Sequence, residues 1–206
     1  MRREKGIILT ARIVSMVFTP FYLPIVGLIA LFTLSYLSQM PLPYKLQVLT
    51  IVYLFTILLP TVLIHLYRRY QGWSLLQLGN KERRMVPYVI SILCYFACAY
   101  WMDYLHIPHF MGSIVTVALF IQIVCALINV WWKISTHTAA IGGVTGALFV
   151  FGEVFGFNPV WWLCLVLILA GVLGASRMIL RQHSLLQVVV GYLVGVVCAC
   201  VGLVYL

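Results

Sequence analysis

Apolar residues fall in seven long runs, at about 14–38, 47–67, 86–104, 111–131, 137–153, 160–175 and 184 to the end. Most approach the roughly 20 residues that a helix needs to cross a hydrocarbon core. Polar residues are confined to the intervals. Arg2, Arg3, Lys5 and Arg12 open the chain, and the longest polar stretch, 68–85, holds Arg68, Arg69, Lys81, Glu82, Arg83 and Arg84. The pattern predicts an all-α, polytopic transmembrane bundle of six or seven spans. Pro20 and Pro24 predict a kink near the start of the first run, because each removes a backbone donor. Pro60 falls inside the second run, and Pro87 suits the first turn of the third. Small residues gather in the fifth run (Ala139, Ala140, Gly142, Gly143, Gly146, Ala147) and in the seventh (Gly191, Gly195, Gly202). In membrane bundles such residues let helix backbones approach closely.

Composition sharpens this picture. The 206 residues are 64% hydrophobic and 8% charged, with a mean hydropathy of +1.10. That balance excludes a soluble globular domain, and residues 1–206 are expected to form one integral membrane domain. No cleavable leader is expected, because the first run is long, contains prolines and leads straight into further spans. The six cysteines lie inside apolar runs with no zinc-ligand spacing, and read as small apolar packers. The tryptophan pairs Trp131–Trp132 and Trp161–Trp162 read as interfacial anchors.

Charge then sets sidedness. Folded back and forth, the seven runs put 1–12, 68–85, 132–136 and 176–183 on one side, with every Lys and Arg except Lys45. Asp103 and Glu153 fall on the other side. The positive-inside rule makes the basic side, and the N-terminus, cytoplasmic. The net charge of +9 sits at the ends of apolar runs, so it points to anionic headgroups or phosphorylated substrates and away from nucleic acid.

Three polar clusters meet on that basic side. The first is Lys81-Glu82-Arg83-Arg84. The second is Lys133, Ser135, Thr136 and His137. The third is Ser176, Arg177, Arg181 and His183, with Gln187 one helical turn beyond His183. The i, i+4 spacing puts His183 and Gln187 on one helix face. Arginine offers bidentate donors to phosphate oxygens and lysine a point charge. Hydroxyls and free amides at a helix start add neutral donors. One imidazole can attack phosphorus as a nucleophile while a second gives a proton to the leaving oxygen. Arg181 reads better as topology or headgroup contact, and His65, His106 and His109 stand apart from the cluster.

Ser176-Arg177, five residues, then His183 resembles the third motif of the type 2 phosphatidic acid phosphatase superfamily, Ser-Arg-x5-His-x3-Asp, with Gln187 in place of the Asp. Ser135-Thr136-His137 is similar to its second motif, Pro-Ser-Gly-His. Lys81 to Pro87 is similar to a compressed first motif, with Arg84 (or its neighbour Arg83) as the arginine. The resemblance implies a phosphatase-like helical core over about 80–206. It gives His183 the role of nucleophile, His137 that of general acid and Gln187 that of orienting His183. It makes Lys81, Arg84, Ser135, Thr136, Ser176 and Arg177 phosphate-binding, and it involves no metal and no cofactor. The implied substrate is a phosphorylated membrane lipid, a monoester of phosphate or diphosphate, hydrolysed in a bacterial inner membrane. The alternative is a non-catalytic descendant that binds or moves such a lipid.

Sidedness has a direct check. With the native cysteines replaced, a single cysteine within 72–79 is expected to resist an impermeant thiol reagent in intact cells. One within 154–158 is expected to react.

Overall fold

The computed structural model describes residues 2–70 and 81–205, and the side chains of residues 2–5, Leu34, Tyr36 and 81–84 lie outside the described set. The described residues form helices α1 (Arg2–Val17), α2 (Leu23–Leu34), α3 (Leu42–Tyr53), α4 (Leu59–Tyr70), α5 (Lys81–Tyr104), α6 (His109–Trp131), α7 (Thr136–Phe155), α8 (Val160–Ile179) and α9 (Leu185–Tyr205). Seven segments are long and apolar enough to cross a membrane: Gly6–Thr33, Leu42–Tyr70, Met85–Tyr104, His109–Trp131, Thr136–Phe155, Val160–Ile179 and Leu185–Tyr205. The protein is therefore an integral, multi-pass membrane protein.

Proline shapes the first two spans. α1 stops at Val17, a 3-10 turn covers Pro20–Tyr22, and α2 resumes with Pro24 in its first turn. The predicted kink is thus a full break, since neither Pro20 nor Pro24 has an N–H to continue the α1 ladder. In the second span a π-helical turn, Leu54–Leu58, joins α3 to α4 just before the buried Pro60. A proline ring collides with the carbonyl four residues earlier, here Thr56, and a wider turn moves that carbonyl aside.

Two boundaries differ from the apolar pattern. Pro87 is not in a first turn. α5 begins at Lys81, and Pro87 lies inside it, because the polar residues ahead of the apolar run are themselves compatible with helix. α8 likewise continues through Ser176 and Arg177 to Ile179. The cation in that last turn faces the negative end of the helix dipole.

The tightest packing joins α7 to α9, which run in the same direction. A Cβ at Gly191 would come within 2.7 Å of Ser135 O and of Thr138 Oγ1, and one at Gly146 within 2.7 Å of Val196 O. Between these two contacts, Gly142 sits directly on the Tyr192 carbonyl and Gly195 on the Ala139 carbonyl. Tyr192 also donates its hydroxyl hydrogen to Thr145 Oγ1 at 3.1 Å. The small residues of the two runs thus serve the close approach that their spacing predicts. Farther from the basic end, α2, α3, α5 and α6 enclose a dense core of Leu28, Leu31, Val52, Tyr95, Met102 and Met111.

Glycine at position 195 is accordingly irreplaceable in this packing. Gly195→Ala is expected to cost about 3 kcal/mol or more through overpacking against backbone. Gly171→Ala has open space around it and is expected to be neutral or to gain up to about 1 kcal/mol. Thermal unfolding of the two variants in detergent separates these outcomes.

Candidate active site

The site is built where the N-terminal ends of α7 and α9 meet the C-terminal end of α8. Ser135 caps α7, its side-chain oxygen accepting the Thr138 N–H at 3.4 Å. α8 ends in a Schellman turn. The Gln182 N–H bonds to Arg177 O at 3.1 Å and the Arg181 N–H to Met178 O at 2.9 Å. Arg181 occupies the left-handed position of that turn, with φ 51, where glycine is usual. This sharp reversal carries the chain from Arg177 to His183 in six residues and aims both back at α7.

α9 then opens on a capping box, Ser184-x-x-Gln187. Ser184 Oγ accepts the Gln187 N–H at 3.4 Å, and Gln187 Oε1 accepts the Ser184 N–H at 3.2 Å. Two orphan amides are satisfied reciprocally. The same Oε1 lies 3.2 Å from His183 Nδ1. Because Oε1 already receives a backbone N–H, its identity as an acceptor is fixed. A hydrogen on Nδ1 of His183 satisfies this contact.

Across from it stands His137, in the first turn of α7. It interacts electrostatically with Arg177 and His183, and its Nδ1 is buried without a hydrogen-bond partner. Arg177 Nη1 donates to the buried Ser15 hydroxyl of α1 at 2.5 Å, while its Nε is buried and unpartnered. The described carboxylates do not balance this cation. Asp103 and Glu153 are exposed near the C-terminal ends of α5 and α7, away from the basic end. A half-buried guanidinium beside two imidazoles and two helix N-termini is a site for an anion.

His137, His183 and Arg177 line one cavity of about 850 Å³, together with Lys133, Thr136 and Arg68. Lys133 Nζ also donates to Gln182 O at 2.5 Å, tying the loop before α7 to the loop before α9. Ser135 and Ser176 do not line this cavity. Both are buried, and their hydroxyls are engaged within their own helices, Ser176 donating to Val172 O at 2.8 Å. Gln187 stands behind His183, one step from the cavity wall. The side chains of Lys81 and Arg84 lie outside the described residues.

Several residues of the site were not singled out from sequence. Arg68, which the charge pattern assigns to topology, lines the cavity with a buried, unpartnered Nε. Tyr88 faces Arg177 electrostatically and accepts a hydrogen bond from Asn129 Nδ2 at 3.0 Å. Ser15 is an ordinary serine in an apolar helix, with no local signal. The Ser184-x-x-Gln187 box was legible, because its spacing is that of a capping box.

The fold and site thus define a polytopic membrane protein with a histidine- and cation-lined anion pocket at the mouth of its helical bundle. Residues 129–206, from the end of α6 through α9, match the family model of the PAP2 superfamily. Over these residues the chain is similar to the type 2 phosphatidic acid phosphatase superfamily. The match spans the second- and third-motif residues, His137, Arg177, His183 and Gln187 among them, and leaves residues 1–128 outside. No curated protein and no solved structure matches the chain.

The Schellman turn gives a stability test. A non-glycine residue in the left-handed region costs roughly 1–2 kcal/mol. Arg181→Gly is therefore expected to raise stability by about 1 kcal/mol, measured as an upward shift in the detergent melting curve.

Proposed function

We propose that this protein is a membrane lipid phosphatase that hydrolyses a lipid-linked phosphate or diphosphate monoester through a phosphohistidine at His183. The observation that carries the reading is the convergence of His137, His183 and Arg177 on one cavity mouth. In this mechanism His183 Nε2 attacks phosphorus, and the N–P bond forms as the bond to the leaving oxygen breaks. His137, protonated, gives that oxygen its hydrogen. A water then attacks the phosphohistidine, with neutral His137 taking its proton, and phosphate leaves. The Gln187 carbonyl keeps Nδ1 protonated in this scheme, which leaves Nε2 as the attacking nitrogen.

Arg177, Thr136, Arg68 and the first amides of α7 hold the phosphoryl oxygens in this scheme, with Lys81 and Arg84 contributing from the start of α5. Ser135 and Ser176 act indirectly, by fixing the helix ends that present those amides and Arg177. Residues 1–206 work as one membrane unit, since Ser15 of α1 holds Arg177 of α8. The basic end lies on the cytoplasmic side of a bacterial inner membrane, with the N-terminus inside.

One observation favours a second reading, a non-catalytic protein that binds or moves a phosphorylated lipid. Gln187 supplies no negative charge to stabilise an imidazolium at His183. Against it, the loss incurred when Asp is replaced by Asn in a serine protease triad, about 10⁴ in kcat, comes from the wrong tautomer. Here the Ser184 amide, bonded to Gln187 Oε1, supports the tautomer that the scheme needs.

Phosphate release by the purified protein in mixed micelles decides between them. The panel holds phosphatidic acid, phosphatidylglycerol phosphate and a polyprenyl diphosphate. On the phosphatase reading, the wild type releases phosphate from at least one, His183→Ala falls to background, and Gln187→Asp changes the rate by much less than ~10⁴-fold. Release that appears only in Gln187→Asp would assign the native protein to the binding class. Release that persists undiminished in His183→Ala would remove the phosphohistidine.

A further inference from the structure

The cavity does not end at the cations. Below Arg177 and His183 it continues as an apolar shaft between α2, α6, α7 and α8, with Ala118, Ala147 and Phe151 on its inner walls. Two helices measure its depth independently. Phe151 follows His137 by fourteen residues on α7, and Trp162 precedes Arg177 by fifteen on α8. At 1.5 Å per residue these place the lower end about 21 and about 22 Å from the charged mouth. Half of a hydrocarbon core is only about 15 Å, so the shaft reaches past the bilayer midplane.

Its side wall is open. Val26 and Ile29 on α2, and Trp162 and Leu165 on α8, line the cavity and are each 44–47% exposed. α2 packs on α3, α6 and α7, while α8 packs on α1, α7 and α9, leaving no substantial packing between α2 and α8. In a membrane this window faces lipid tails. Trp162, which the sequence pattern presents as an interfacial anchor, forms one of its edges.

We infer that the shaft and its window are the binding site for the hydrocarbon chain of the phosphorylated lipid, which descends from the charged mouth and leaves the bundle between α2 and α8. The inference rests on the phosphatase reading for its headgroup site and adds what holds the rest of the molecule. Four features carry it: cations at one end only, an apolar interior, a depth greater than one leaflet, and an opening onto the bilayer. A chain longer than the shaft extends into the lipid through the window, so long acyl and polyprenyl chains fit alike. Chains too short to fill the shaft forgo its apolar contact. Residues 1–128 thus supply the α2 and α6 walls of the chain site, while 129–206 supply its α7 and α8 walls and most of the phosphate site.

Two measurements test this on the full-length protein. In the first, a lipid phosphate with a photoactivatable group near the end of its chain is bound to His183→Ala and irradiated. Labelling is expected on the inner residues Ala118, Ala147 and Phe151, to be competed by unlabelled lipid phosphate, and to fall at least fivefold in Ala147→Phe. Labelling confined to outward-facing residues such as Leu193 and Val197 would overturn the inference. In the second, hydrolysis of a short-chain, water-soluble phosphate ester is compared with that of its long-chain homologue. Ala147→Phe and, from the facing wall, Ala118→Phe are expected to lower kcat/KM at least tenfold for the long chain, mainly through KM. The short-chain rate should stay within twofold of wild type. Equal loss for both chains, or loss for neither, counts against a chain site. Competed labelling inside the shaft without hydrolysis of any substrate would sink the phosphatase reading and leave the chain site standing.

Discussion

Everything at the basic end depends on how closely α7 and α9 approach. Helix N-termini repel one another electrostatically, since both carry the positive end of the dipole. Here two are held side by side by backbone contact at Gly142, Gly146, Gly191 and Gly195. In a bilayer no hydrophobic force between helices makes up for poor fit, so the close contact itself must hold the pair. The reward is chemical. Two helix starts, with His137 and His183, come to one place. Arg177 completes the arrangement from α8, steadied by Ser15.

The replacement of a carboxylate by Gln187 changes how His183 is prepared, without removing the preparation. An Asp at this place would orient the ring and stabilise its positive form. Gln187 orients it through an oxygen already fixed by the Ser184 amide, and the helix start and the imidazole share one acceptor. The cost is the missing charge, in a pocket already rich in cations. On the proposed reading, the phosphoryl group's own negative charge would balance Arg68, Arg177 and Lys133.

Much of this was legible in the residue order. The seven runs, the break at Pro20, the close-packing glycines and the grouping of second- and third-motif residues all follow from local patterns with strong physical causes. The extent of α5 and α8 did not, because helices at a membrane boundary extend into polar sequence and hydropathy alone stops short. Arg68 reads in sequence as a topology signal and in the structure also lines the cavity, since a cation that faces a pocket and one that marks a membrane face look identical in sequence. Ser15 was invisible for another reason. Its partner is 162 residues away, and no local spacing encodes a contact of that range. The roles of Ser135 and Ser176 turned on where a hydroxyl points, which a motif does not specify.

The bond between Ser15 and Arg177 has a consequence for how the molecule comes into being. α1 is made before α8, so the span that holds Ser15 must enter the membrane and wait while the four spans between them are threaded past it. Until then Ser15 has no guanidinium to receive, and Arg177 has no place to shelter its charge. The cavity mouth is therefore a late event in assembly, closed when α1 and α8 meet across the bundle. A chain halted before α8 would hold five of the seven membrane-spanning segments and neither Arg177 nor His183.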